Sequence, residues 1–269
     1  ALLECRPLIG VLTDHVHTPR AIAKRMMEYH LDKDYTMRVA EHLGNPKKEK
    51  IYNIYSIEEI SEMSFSCPNC ALLMKAPNST QQRPTLGIPD TKFVLLNDRA
   101  KMITKAPIRV IDLSLLELHN SRTFWDIGAC TGSVSIEARR QYPHLNIQAF
   151  EVREECKDII RANARLHSAP GIDLHIGNFL NLPIAENAIV DAVFIGGHGG
   201  KLKEIICKVA SHLDKLKGKI VFNSVSEESN KLFREAVEEN DLKLHSEMNI
   251  TVDSNNPITI LCATGKYHV

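Results

Sequence analysis

From Thr123 onward, short apolar runs alternate with longer segments in which apolar residues recur at spacings of three and four. The runs from Thr123 to Asp126, Asn146 to Val152, Asp173 to Asn178, Asp191 to Gly196 and Lys219 to Val225 predict strands, because such runs suit half- or fully buried extended chain. Glu154 to His167, Gly200 to Leu216 and Glu227 to Asn240 predict the helices between them. Strands alternating with helices of this length imply a mostly parallel sheet covered on both faces. Leu244 to Val252 and Ile258 to Gly265 predict two final strands, joined across a tight turn from Asp253 to Pro257 into an antiparallel hairpin. Ahead of the first strand, Ile108, Ile111, Leu115 and Leu118 mark one buried stripe of a helix.

The N-terminal region repeats the alternation on a smaller scale. Gly10 to Asp14 predicts a strand and turn, Thr18-Pro19 a capped helix start, and Ile22, Met26 and Tyr29 one helix face. Tyr35 to Ala40, Ile51 to Tyr55 and Ala71 to Lys75 predict further strands, with Ser56-Ile-Glu-Glu59 as a capping box for a short helix. This smaller α/β unit carries no glycine-rich ligand loop. Asn78 to Asp90 is rich in Ser, Thr, Gln, Pro and Gly, as a linker would be. The expected organisation is therefore a partial domain at 1–77, a linker at 78–90 and a larger domain at 91–269.

Composition narrows the class. The chain has 269 residues, and Lys+Arg and Asp+Glu balance at 33 each, so no overall field draws it to nucleic acid or to an anionic membrane. Seven cysteines without a framework point to reduced thiols, and no apolar run approaches a membrane span, so a cytoplasmic protein is expected. Cys67-Pro-Asn-Cys70 has metal-site spacing but no second pair of thiols beside it, and His15 and His17 fit a solvated loop; no metal is expected.

The chemistry concentrates at Asp126-Ile-Gly-Ala-Cys-Thr-Gly-Ser133, where the first strand turns into a helix. Gly128 and Gly132 supply backbone angles closed to other residues, and the free N–H groups of the helix start favour polar ligand groups. Cys130 stands where a dinucleotide fingerprint needs its second glycine, and Asp126 would repel phosphates. Asp126 suits an amino group instead, which favours S-adenosyl-L-methionine over a dinucleotide. In an open parallel sheet the ligand lies beyond the carboxyl ends of the strands. Glu151 ends the second strand, 23 residues after Gly128, near the roughly 20 expected of a ribose-binding carboxylate. Asn178 and Phe179 follow the third strand and suit the adenine, or equally a turn residue and a core aromatic. Gly196-Gly-His-Gly-Gly200 follows the fourth and leaves room for a large planar substrate, with His198 as a candidate donor or base. Asn223 ends the fifth. Lys105 and Arg109 lie four apart at a helix start, where both charges are unfavourable unless an anion binds or solvent screens them.

Four segments together resemble the precorrin-6Y C5,C15-methyltransferase (decarboxylating) family of cobalamin biosynthesis. They are Leu86-Gly-Ile-Pro-Asp90 with Phe93, Ile103-Thr-Lys-Ala-Pro-Ile-Arg109, Trp125-Asp-Ile-Gly-Ala-Cys-Thr-Gly-Ser-Val-Ser-Ile-Glu137 and Phe194-Ile-Gly-Gly-His-Gly-Gly200. Residues 1–77 are similar to the second half of the tetrapyrrole methylase domain that precedes it, through Val11-Leu-Thr-Asp14, Thr18-Pro19 and Val39-Ala-Glu-His-Leu-Gly44. The chain is accordingly expected to be a fragment with a single cofactor site.

The resemblance implies a Rossmann-like class I S-adenosylmethionine-dependent methyltransferase fold, with methylation at C15 of a precorrin or cobalt-precorrin and loss of the ring C acetate carboxyl. It implies cofactor contacts, with S-adenosyl-L-homocysteine as product, from Asp126, Gly128, Ala129, Thr131, Gly132, Ser133, Glu151, Asn178, Phe179, Gly196 and Gly197. Substrate contacts are implied for Lys105, Arg109, Gly197, His198, Gly199 and Asn223, and catalytic roles for Thr104, Lys105, Arg109 and His198. It also implies a homo-oligomer, a tetramer of the methyltransferase domain, with no nucleic-acid or membrane partner. Two positions depart from the family's pattern, Cys130 for a glycine and His198 for a small residue. The cofactor turn by itself leaves open an RNA or protein methyltransferase, or a non-catalytic module on the same fold. The charge balance and the lack of an Asn-Pro-Pro-Tyr stretch weigh against some of these.

Overall fold

The structure is a computed structural model, and it describes residues 6–76, 86–253, 257 and 258–267. The chain divides into two compact units, residues 1–84 with 165–170, and residues 85–164 with 171–269.

The first unit is an antiparallel sheet with two helices. Strands β1 (Leu8–Leu12), β2 (Tyr35–Glu41), β3 (Lys50–Ser56) and β4 (Asn69–Lys75) pair in the order β1-β4-β2-β3. Helix α1 (Pro19–Glu28) is capped by the Thr18 side chain, which accepts from Ala21 N. Helix α2 (Ile57–Glu62) is opened by the reciprocal Ser56–Glu59 capping box, so both helix starts follow their sequence signals. Met37, Val39, Ala71 and Leu73 alternate into the core between sheet and helices. Among the described residues, no three His, Cys, Asp or Glu side chains gather to hold a metal ion.

The second unit is a seven-stranded sheet. Strands β5 (Thr123–Ile127), β6 (Asn146–Glu151), β7 (Ile172–Ile176), β8 (Ala192–Ile195) and β9 (Lys219–Ser224) run parallel, and β10 (Lys243–Ile250) and β11 (Ile258–Thr264) close one side antiparallel. The order is β10-β11-β9-β8-β5-β6-β7, which is the class I methyltransferase arrangement anticipated for this region. Residues 254–256 of the expected tight turn lie outside the described residues. Period-two alternation feeds two cores. Trp125, Ile127, Val193, Ile195 and Phe222 face one side, and Phe124, Phe194, Ala192 and Val221 face the other. Each such buried side chain contributes about 1.5–3 kcal/mol. Helices α3 (Ala106–Leu115), α4 (Ser133–Gln141), α5 (Cys156–Leu166), α6 (Leu202–His212) and α7 (Glu227–Glu239) accompany these strands.

Two expectations change here. Helix α3 ends at Leu115, and its buried positions are Ile108, Arg109, Asp112 and Leu113, while Ile111 and Leu115 are only half-buried. The apolar spacing and the buried face differ by one step because Arg109 and Asp112, two polar residues, occupy that face. Leu86–Asp90, expected at the end of a linker, is built into the second unit. Gly87 N and Ile88 N donate to Glu137, and the Asp90 carboxylate accepts from Ala106 N. The remaining linker residues, 78–85, lie outside the described set.

No helix among the described residues is long and apolar enough to cross a membrane.

Candidate active site

Strand order reverses between β5 and β8, so the connections leaving their carboxyl ends run to opposite sides, and the ligand crevice of such a sheet lies there. The backbone is drawn together at this point. Gly196 N donates to Ile127 O at 2.8 Å, and Gly128 N to Phe150 O at 2.8 Å. A Cβ added to Gly128 would stand 2.6 Å from Gly197 N, and Gly128 itself has φ +79°, so only glycine fits. Cys130 adopts φ +50°, the left-handed region that glycine enters freely, at the position where the resembled family carries glycine.

Two cavities meet here. The first, of about 520 Å³, is lined by the turn residues Asp126, Gly128, Ala129, Cys130, Thr131 and Ser133, by the segment Lys101 to Lys105, and by Gly196, Gly197, Asn223 and Arg153, with Phe194, Val225 and Ile258 as apolar wall. The second, of about 350 Å³, is lined by Glu151, Asn178, Phe179, Gly197, His198, Gly199 and Arg153. Gly128, Arg153 and Gly197 border both.

Asp126 is almost wholly buried, and its Oδ2 accepts from Ser135 N at 3.1 Å and Ser135 Oγ at 2.6 Å at the start of α4. Its Oδ1 and the Thr131 hydroxyl are buried without a hydrogen-bond partner among the described residues. Burial raises the Asp126 pKa to about 6, against the Ser135 hydrogen bonds and with the Glu151 charge. Asp112 is buried behind this wall, where its Oδ2 accepts from Asn223 Nδ2 at 2.7 Å. Burial pushes the Asp112 carboxyl up to about 8, outweighing the Asn223 bond and the Arg109 charge. Glu151, 1% exposed, accepts from Cys130 N at 2.8 Å and from Arg153.

The anticipated residues thus separate into two groups. Thr104, Lys105, Asn223 and the Asp126 turn share the first cavity; Glu151, Asn178, Phe179, His198 and Gly199 share the second. Gly132 lines neither and instead caps α4 with φ +73°. Phe179 packs edge-on against Trp125 and Phe150 in the core while bordering the second cavity, and Asn178 Oδ1 accepts from Leu180 N. His198 lines the second cavity and not the first; its Nδ1 accepts from Gly200 N, its ring meets Phe222, and burial lowers its pKa.

Arg109 requires a correction. It is fully buried and lines neither cavity. Its Nε donates to Glu137 Oε2 at 2.8 Å, its Nη1 to Asp90 Oδ1 at 2.9 Å, and further donors reach Thr104 O and Ile88 O. Two carboxylates, rather than a bound anion, offset its charge at the helix start, and the guanidinium ties the segments around residues 88–90 and 104 to α3 and α4.

Sequence reasoning missed Lys101, Arg153 and Asp112. The signal for Asp112 was present, a polar residue at the i+4 step between Ile108 and Leu116. Arg153 lay two residues past Glu151, in the loop where a strand-end reading stops.

A family model described as precorrin methyltransferase domain matches residues 96–260. The chain belongs to this family. Cobalt-precorrin-6B C(15)-methyltransferase (decarboxylating) of Salmonella typhimurium is 35% identical over 127 residues, 47% of this chain and 64% of that protein. Precorrin-6Y C(5,15)-methyltransferase [decarboxylating] of Mycobacterium tuberculosis is 25% identical over 226 residues, 81% of this chain and 53% of that protein. The latter match is too long to lie within the second unit alone. The chain therefore spans less than two thirds of either relative. The crystal structure of precorrin-6y C5,15-methyltransferase from Geobacter metallireducens GS-15 superposes on 68% of this chain and 100% of its own, with TM-score 0.61 and 32% identity. The precorrin methyltransferase match covers Lys101 to Lys105, the Asp126 turn, Glu151, Arg153, Gly196 to Gly200 and Asn223 together.

Proposed function

We propose that this chain carries out S-adenosylmethionine-dependent methylation of C15 of a precorrin or cobalt-precorrin, with decarboxylation of the ring C acetate, in cobalamin biosynthesis. The observation that carries this reading is that Asp126 and Thr131, which line the first cavity, each hold a buried side-chain oxygen, Oδ1 and Oγ1, without a hydrogen-bond partner among the described residues. A buried oxygen without a donor costs about 1–3 kcal/mol, so a donor-bearing ligand is the natural complement. The amino group of S-adenosylmethionine fits Asp126, its ribose diol fits the Glu151 carboxylate, and the Gly128–Gly197 contact leaves main chain open to it.

When bound, S-adenosylmethionine supplies an electrophilic methyl group on a sulfonium. The protein's part is placement. Asp126 and Thr131 orient the amino end, while Phe194 and Ile258 give the cavity an apolar wall. Lys101 and Lys105 stand on the cavity wall where the carboxylates of a tetrapyrrole would be received. Orientation of a nucleophilic ring carbon toward the methyl group supplies most of the acceleration and asks for no strong base. Loss of carbon dioxide from the acetate leaves an electron pair that the conjugated macrocycle takes up before a proton adds at that carbon.

Residues 1–77 are proposed to be the second half of a tetrapyrrole methylase domain, leaving one cofactor site per chain. The test is incubation with methyl-labelled S-adenosylmethionine and a precorrin or cobalt-precorrin, followed by mass and absorbance. One added methyl group with loss of carbon dioxide is expected; label transferred to RNA or protein, or no transfer, overturns the reading.

A further inference from the structure

Glu151 has no capacity left for a new donor. A carboxylate offers about four lone-pair positions. Oε1 accepts from Arg153 N at 3.0 Å and Arg153 Nε at 2.8 Å; Oε2 accepts from Cys130 N at 2.8 Å and Arg153 Nη2 at 3.4 Å. Two of these donors are main chain and fixed. The other two form a guanidinium fork, and a vicinal diol presents the same pair of parallel donors. Fork and diol therefore compete for the same two positions.

Arg153 is placed to leave. Its side chain is 34% exposed and borders both cavities. On the side away from Glu151, its Nη1 reaches, among the described residues, the weak acceptor Met102 Sδ at 3.9 Å, within the segment that also carries Lys101 and Lys105. A guanidinium turned from Glu151 toward this segment would add a second cation beside Lys101, in a cavity wall where the Lys105 ammonium is already paired with Asp90 at 3.5 Å. That arrangement is unfavourable unless an anion enters with it.

We propose that Arg153 is an exchangeable substrate-binding residue that couples the two cavities. It closes on Glu151 in the free protein, yields that carboxylate to the ribose diol of the cofactor, and then receives a carboxylate of the tetrapyrrole beside Lys101 and Lys105. Cofactor binding thereby prepares the substrate cavity, and by linkage each ligand strengthens the other by the same factor. This inference rests on the functional reading above.

The experiment measures binding of S-adenosylhomocysteine and of uroporphyrin, an octacarboxylate macrocycle, each alone and with the other, by calorimetry and fluorescence on the purified chain and on Arg153→Met and Arg153→Lys. A residue that merely supports the cofactor site would lose S-adenosylhomocysteine affinity when truncated. The expected result is opposite in sign: Arg153→Met removes the competitor and binds S-adenosylhomocysteine about tenfold more tightly. In the unaltered chain S-adenosylhomocysteine raises uroporphyrin affinity at least about fivefold; that gain disappears in Arg153→Met and survives in part in Arg153→Lys. Weaker or unchanged S-adenosylhomocysteine binding by Arg153→Met, coupling that persists in it, or no uroporphyrin binding to the unaltered chain would each overturn the proposal. Failure of S-adenosylhomocysteine to bind any of the three proteins would strike the functional reading itself.

Discussion

The Arg109 guanidinium donates to the Glu137 carboxylate at 2.8 Å, with neither side chain reaching solvent. The pair joins α3 to α4, and through Asp90, Ile88 and Thr104 it fixes both ends of the stretch that supplies Lys101 to Lys105 to the first cavity. Removing one partner of such a pair leaves a buried charge uncompensated and costs about 3–5 kcal/mol. Arg109→Met is therefore expected to lower stability by that order in denaturant titration, and to weaken cofactor and tetrapyrrole binding together. A selective loss of tetrapyrrole affinity at unchanged stability would return Arg109 to the role of an anion receptor.

Gly128→Ala is expected to abolish S-adenosylhomocysteine binding to within the limit of calorimetry. The added methyl group meets Gly197 backbone at 2.6 Å, and the φ of +79° adds roughly 1–2 kcal/mol of strain for a residue bearing a Cβ. Retained affinity would mean that the contact between the β5 and β8 loops does not shape the site.

Cofactor affinity is expected to depend on pH through Asp126. With its pKa at about 6, the carboxylate is mostly protonated at pH 5 and mostly ionised at pH 7. If the amino group of the ligand needs the ionised form, S-adenosylhomocysteine binds about tenfold more weakly at pH 5 than at pH 7. Asp126→Asn should bind weakly at both and flatten the profile; a slope unchanged in Asp126→Asn would assign the titration elsewhere.

Stability carries its own pH signature from Asp112. The folded chain holds the proton up to about pH 8, whereas an unfolded aspartate ionises near pH 3.9. Between these values the folded state binds more protons, so the contribution of Asp112 is fully present below about pH 3.9 and is lost as pH rises through about 8. Asp112→Asn, neutral throughout, should reduce the fall in melting temperature between pH 5 and pH 9. An identical fall in both proteins would mean that Asp112 does not titrate in this range.

The sheet of the second unit and the turn that borders its crevice are legible in the sequence alone. Alternation along Phe124, Trp125 and Ile127 and the glycines of the β5 turn are local features, and local propensity and patterning fix them. The helix caps at Thr18 and Ser56 were legible for the same reason. The partner of each charge, by contrast, follows from the folded chain. Lys105 and Arg109 look alike in the sequence, four residues apart at one helix start, yet Lys105 lines the cavity and Arg109 is sealed beneath it. Asp90 stands near both, 3.5 Å from Lys105 Nζ and 2.9 Å from Arg109 Nη1, and the difference lies in Glu137, 28 residues away, which the fold brings to Arg109. Likewise the place of Glu151 at the end of its strand is legible in the sequence, but its occupation by Arg153 is not, because hydrogen-bond capacity is counted among neighbours in space. Charges interact over a few ångströms regardless of separation along the chain, so the folded structure assigns their roles.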